Sequence, residues 1–187
     1  MRTDQNVVIR YASGMLGDQV VARSWKGRPF LANRPKFSPD RKFSDAQISQ
    51  QEKFMDAAAY AKGVMPLEET PEIYVNEAKS HNLTEYNVAM RDYLRPPNVR
   101  DIGIEGYTGQ PGEEIVVRAV DDCEVVSVHV AITHDGEIVE EGDAYRDPLN
   151  TTLWRYSTTQ ENELPGTVIE AYATDMPGNV TAGVIEL

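Results

Sequence analysis

From Val99 onward, apolar and polar residues alternate, and no other feature restricts the fold of this chain as strongly. The segment 124–134 shows the pattern most clearly, because Val126, Val128, Val130 and Ile132 fall on one face and the residues between them on the other. A hairpin turn at Asp135-Gly136 follows. The pattern predicts seven strands, at 99–105, 114–120, 124–134, 137–141, 151–157, 167–174 and 179–186. Seven short antiparallel strands of this kind predict a β-sandwich.

The N-terminal part predicts a second, smaller β-structure. Strands are expected at 6–11, 19–25 and 28–32, with turns at 13–18 and at Lys26-Gly27. Pro29 cannot donate to a ladder, so the third strand should be an edge strand or should end early. Three strands this short have little apolar surface to bury among themselves, so they must lean on another element or another copy.

Helices are expected between these two β-regions. The prolines of the basic stretch 33–43 predict a linker, and Ser44 then begins a helix that stops at Gly63. Thr70-Pro71 opens a second helix towards Ala78, and a third runs from Thr84 through Tyr93 before two prolines. The sequence thus predicts an α+β chain of three regions: a basic strand arm and linker at 1–43, a helical region at 44–97 and an acidic sandwich at 98–187.

The residues 117–122, 125–130, 171–175 and 178–181 together resemble bacterial immunoglobulin-like and fibronectin-like domains. This resemblance covers 99–187 and implies a seven-stranded antiparallel immunoglobulin-like sandwich, in which Trp154 stands without the cysteine pair of antibody domains. It leaves function open among spacers, adhesive modules and subunits of assemblies. The N-terminal half, around residues 14–28, is similar to uncharacterised bacterial proteins of unknown function, which adds no chemistry.

Charge is divided unevenly along the chain. Residues 1–62 carry 11 Lys+Arg against 6 Asp+Glu, and residues 101–187 carry 3 against 18, within a net charge of −12. Such a division favours head-to-tail association between copies. It disfavours nucleic acid as a partner, because the acidic region competes for the same cations. A solvated basic face with no partner is the alternative.

Residue types that carry chemistry are few and scattered. The three histidines lack metal-ligand spacing, Cys123 lies among acidic residues that disfavour its thiolate, and no phosphate-binding glycine loop is present. We therefore expect no enzyme activity and no cofactor. Calcium-site candidates near strand ends are Asp121, Asp122, Asp143 and Asp175, although aspartate is also a common turn residue.

The sequence also predicts where the protein is made. It has a single cysteine, no apolar run near the roughly 18 residues of a spanning helix and no recognisable signal peptide. We expect synthesis in the cytoplasm and no membrane partner, with an extracellular or particle-associated location after assembly left open.

The functional hypothesis is a non-enzymatic structural subunit that self-assembles into a filament, tube or particle shell, with its N-terminal strands adding to a neighbouring copy. The alternative is a recognition module that binds a glycan or host protein as an accessory of a larger particle, with Tyr107 and Tyr145 as exposed aromatic candidates. For assembly, the expected interface residues combine apolar strand contacts with charge pairing: Val7, Val8, Ile9, Arg10, Val20, Val21, Arg23, Trp25 and Arg28.

Overall fold

The computed structural model describes residues 12–25, 28–36, 42–65 and 70–187. The chain divides into two compact units, Met1–Asp45 and Ala46–Leu187. The helices and the large sheet belong to the second unit. The boundaries drawn from the sequence at 43 and 97 stay a prediction.

The described part of the first unit is an antiparallel sheet of three strands in the order β1-β2-β3. β1 spans Gly14–Leu16, β2 spans Val20–Trp25 and β3 spans Arg28–Asn33. β3 pairs only with β2 among the described residues, in agreement with the edge position predicted from Pro29. The strand predicted at 6–11 lies outside the described residues. The turn predicted at 13–18 is wrong in part, because Gly14–Leu16 pairs with β2 and the chain reverses after Leu16.

The helices agree with the sequence. α1 spans Asp45–Val64, α2 spans Glu72–His81 and α3 spans Glu85–Leu94. Thr84 caps α3 as predicted, since its hydroxyl accepts a hydrogen bond from the backbone N–H of Asn87 at 3.3 Å. Asn82 caps the C-terminus of α2, and its left-handed φ of 53° is tolerated by asparagine.

Residues 98–187 form one antiparallel sheet of seven strands, all of which the sequence predicted. Their bounds are β4 Asn98–Gly103, β5 Glu114–Val120, β6 Val125–His134, β7 Glu137–Arg146, β8 Leu153–Ser157, β9 Thr167–Asp175 and β10 Val180–Glu186. They pair in the order β10-β9-β6-β7-β8-β5-β4. Val126 departs from the predicted alternation, because the ladder is irregular between Val125 and Ser127 and leaves its side chain exposed.

The sheet curls like a barrel until its two edge strands approach one another. A Cβ atom at Gly183 of β10 would lie 2.5 Å from Cγ1 of Val99 in β4, so only glycine allows this approach. No backbone hydrogen bond joins β4 to β10 in the described part of the chain. The two edges are therefore closed by side-chain packing and not by a ladder.

The described residues of the second unit form two apolar clusters, one inside the large sheet and one among the helices. The inward faces of the seven strands form the larger one, around fully buried Ile115, Val128, Ile132 and Ile169. The helices form the smaller one around Ala57, Tyr74 and Val88, and Cys123 and Met176 from the loops of the sheet pack against it. The helices are thus anchored on one end of the sheet.

Candidate functional site

The first unit exposes apolar and cationic side chains on one face of its sheet. Pairing places Met15, Val21 and Ala32 in one row and Arg23 opposite Phe30 in the next. The side chains of Met15 and Phe30 are 58% and 39% exposed. Arg23 and Arg28 are exposed too, and neither forms a salt bridge with any residue that the structure describes. We call the face of Met15, Val21, Arg23, Arg28, Phe30 and Ala32 the arginine face.

The opposite face of this sheet is also incompletely covered. Leu16 and Leu31 are both exposed, whereas Ala22 and Pro29 are buried. The small sheet therefore leaves on its surface the apolar side chains that a stable domain would bury.

Part of the predicted interface lies within this sheet. Val20 and Val21 are half-buried in β2, and Arg23 and Arg28 lie on the arginine face. Trp25 pairs with Arg28 in the ladder. Val7, Val8, Ile9 and Arg10 lie outside the described residues.

Two arginines of the large sheet have carboxylate partners nearby. Arg155 bridges Glu114 and Asp147, each at 2.8 Å, and Arg146 binds Glu124 at 2.7 Å. In the small sheet, Arg34 pairs with Asp18 at 3.0 Å. Arg23 and Arg28 thus differ from these arginines in lacking a carboxylate among the described residues.

The four calcium candidates do not share one site. Asp121 accepts from the backbone of Cys123, Asp122 pairs with Arg95, and Asp175 accepts twice from Asn179. Asp143 lies within β7, with Oδ1 at 2.9 Å from Nδ1 of His129. In the residues that the structure describes, no group of three or more His, Cys, Asp or Glu could hold a metal ion.

A buried polar chain joins the three helices. The hydroxyls of Tyr60 in α1 and Tyr74 in α2 lie 2.8 Å apart, and Tyr74 donates to Oδ2 of Asp92 in α3 at 2.6 Å. Tyr74 and Asp92 are both fully buried. The other carboxyl oxygen of Asp92, Oδ1, is buried without a hydrogen-bond partner.

Burial in this environment raises the pKa values of Asp92 and of Cys123. Burial raises the pKa of Asp92 to about 7, because desolvation outweighs the hydrogen bond from Tyr74, which lowers it. Burial and the neighbouring carboxylate of Asp92 raise the pKa of Cys123, so the expectation that this thiolate is disfavoured is supported. Asp92 is thus poised to change charge near neutral pH inside a packed interface.

A cleft of about 360 Å³ opens close to this chain of groups. Its lining includes Ile73, Asp121, Cys123, Arg146 and Thr152. Asp92 and Tyr74 do not line it, so the cleft does not bring the carboxyl with the shifted pKa to solvent. The arrangement can hold the helices against the sheet, and it offers no visible route for a substrate to Asp92 among the described residues.

Sequence reasoning missed this cluster. Its only signal is the position of Asp92, which directly follows Val88-Ala89-Met90-Arg91 in a short helix whose apolar residues must pack. Tyr107, expected as an exposed aromatic, is instead buried and donates to Asn162 at 2.5 Å. Tyr145 is exposed, but it lies in strand β7 and donates to Glu114. Neither tyrosine is therefore an exposed loop aromatic of the kind that would favour a recognition module.

The comparisons with known proteins give no family. No family model and no curated protein matches the chain. An engineered protein of known structure matches 48% of this chain and 18% of its own length, with 21% identity and a TM-score of 0.36. CopC from Methylosinus trichosporium OB3b matches 47% of this chain and 87% of its own, with 12% identity and a TM-score of 0.35. At these TM-scores neither likeness supports a conclusion about this protein.

None of the described helices is long and apolar enough to cross a bilayer.

Proposed function

We propose that this protein is a non-enzymatic structural subunit that assembles with copies of itself into a filament, tube or particle shell. The observation that carries the proposal is the small N-terminal sheet, which exposes Met15, Leu16, Phe30 and Leu31. A sheet of three short strands needs a covering surface to be stable. A second copy of the same chain is the partner proposed to provide this surface.

The charge distribution supports a head-to-tail arrangement. The first unit carries Arg23 and Arg28 without described carboxylate partners, while residues 101–187 carry 18 acidic against 3 basic residues. When the donor and acceptor surfaces differ, copies add repeatedly until a ring closes or a filament grows. The opposite charges would set the register of each contact.

We also propose that residues 98–187 are an immunoglobulin-like domain. The order β4-β5-β8 on one side and β6-β9-β10 on the other, with β7 pairing with both β6 and β8, supports this interpretation. The role proposed for this domain is that of an acceptor for the N-terminal sheet of the next copy.

Size-exclusion chromatography with light scattering tests assembly on the full-length protein. At low salt we expect masses above one subunit, and a shift towards the monomer as salt screens the charges. The double substitution Met15→Ser and Phe30→Ser should reduce the mass to one subunit. Leu149→Ser removes an equally apolar side chain that is 96% exposed in the second unit, and it should leave the mass unchanged.

Two results would count against this function. A wild-type protein that stays monomeric at every salt concentration has no assembly to explain. Equal effects of the Leu149 and the Met15/Phe30 substitutions would mean that general surface hydrophobicity, and not the small sheet, drives association.

A further inference from the structure

The large sheet carries an outward surface that fits the arginine face in chemistry. Four strands, β10-β9-β6-β7, turn alternate side chains away from the core. One cross-strand row reads Val184, Glu170, Ala131 and Glu141, and the next reads Ala182, Tyr172, His129 and Asp143. A third row reads Glu186, Val168, Thr133 and Ile138. We call these three rows the outer face.

The charge of this face has one sign. Glu141, Asp143, Glu170 and Glu186 lie on it, and no lysine or arginine stands in the three rows. His129 also lies on this face, with its ring 2.9 Å from Asp143 and 3.9 Å from Glu141. Arg146 and Arg155 of the large sheet bind Glu114, Glu124 and Asp147, none of which belongs to the outer face. Among the described residues, no lysine or arginine pairs with these carboxylates, although Tyr172 donates a hydrogen bond to Glu170 at 2.7 Å.

The outer face also exposes apolar area. Val184 is 55% and Ile138 is 65% exposed, at opposite margins of the four strands. Apolar side chains among carboxylates on one surface and apolar side chains among arginines on the other are complementary. Two sheets of this kind can pack face to face at about 10 Å, with apolar groups buried against one another and opposite charges paired.

The edge strands of the large sheet are less accessible to a second copy than the outer face is. β4 and β10 would be the strands to accept an added strand, yet they pack on each other at Gly183 and Val99. An incoming strand would have to separate them. The outer face needs no such opening.

We propose that the outer face is the acceptor surface for the arginine face of a second copy of this chain. This assignment rests on the proposed function, since it names the surface on which the next subunit docks. Arg23 and Arg28 meet the carboxylates of Glu141 and Asp143, and Met15 and Phe30 cover apolar area between the charges.

Charge reversal on each side tests the assignment by the mass of the full-length protein. Arg23→Glu with Arg28→Glu, and separately Glu141→Arg with Asp143→Arg, should each raise the apparent dissociation constant of assembly about tenfold or more. A chain that carries all four substitutions restores opposite charges and should recover assembly. Glu105→Arg with Glu161→Arg makes the same change of charge at exposed positions outside the outer face, and it should leave assembly unchanged. Circular dichroism and thermal unfolding check that each variant folds.

The outcomes separate this assignment from the function on which it rests. If the Arg23/Arg28 variant loses assembly while the Glu141/Asp143 variant assembles like the wild type, the copies associate but the outer face is not the acceptor. If the wild type is monomeric, both proposals fail. A monomeric wild type whose thermal midpoint falls in both reversed variants would assign the face to a contact within one chain, which also overturns the assignment.

Discussion

The buried carboxyl of Asp92 makes the stability of this protein depend on pH in a predictable direction. In the unfolded chain an aspartate ionises at a pKa near 3.8, whereas in the folded protein burial raises the pKa of Asp92 to about 7. Between these values the folded state holds a proton that the unfolded state has released, so the free energy of unfolding falls as pH rises. Below the lower value, and above the upper one, this group adds no further pH dependence.

The size of the effect follows from the interval. About three pKa units at about 1.4 kcal/mol each amount to about 4 kcal/mol of stability lost between about pH 4 and about pH 7. Asp92→Asn removes the ionisation and keeps an oxygen that accepts from Tyr74, as Oδ2 does now. The variant should therefore lack this loss and should exceed the wild type in stability above neutral pH.

Urea denaturation of both proteins across this pH range measures the difference. Subtracting the variant's curve from that of the wild type removes the contributions of other titrating groups, including Asp175, whose pKa burial also raises. We expect the difference to grow from acidic to neutral pH and then to level off. Parallel curves for the two proteins would refute the reasoning, because they would show that Asp92 titrates alike in the folded and unfolded chains.

Three further predictions follow from the same contacts. Tyr74→Phe removes the hydroxyl that donates to Asp92, so it should lower the free energy of unfolding by about 1–3 kcal/mol above neutral pH and by less at acidic pH. Denaturation at the two pH values measures this, and equal losses at both would contradict it. Cys123 should react slowly with a disulfide reagent in the folded protein and fully in urea, since burial raises its pKa; a rapid native reaction would be inconsistent. Gly183→Ala should lower the midpoint of thermal unfolding, because the added Cβ forces β4 and β10 apart. The control is Gly63→Ala in helix α1, where a Cβ has no atom within 4 Å, and it should preserve or raise the midpoint.

The sequence predicted the large sheet well because alternation survives along each of its strands. The prediction for β7 ended at residue 141, although the strand continues to Arg146. Gly142 resembled a turn residue, but a Cβ there would lie 3.0 Å from the ring of Tyr156, so the glycine makes room for a packed aromatic side chain. Similarly, Gly14 suggested a turn where the structure begins β1.

The buried chain of Tyr60, Tyr74 and Asp92 could not be predicted in the same way. These residues lie 14 and 18 positions apart, and only the packing of three helices brings them together. A charged residue in a short helix is expected to face water, and this expectation outweighed the one signal of burial, the position of Asp92 after an apolar run. The outer face likewise depends on which of two faces each strand buries, and the order of the strands decides which side chains form one row.

The assembly account depends on a second copy covering the small N-terminal sheet. Sedimentation velocity of the full-length protein at rising concentration measures this most directly, at salt of about 0.01 M and about 1 M, where charges are screened over roughly 30 Å and roughly 3 Å. We predict species heavier than the 20.9 kDa chain that grow with concentration at low salt and decrease at high salt. A single 20.9 kDa species under all these conditions would contradict the account.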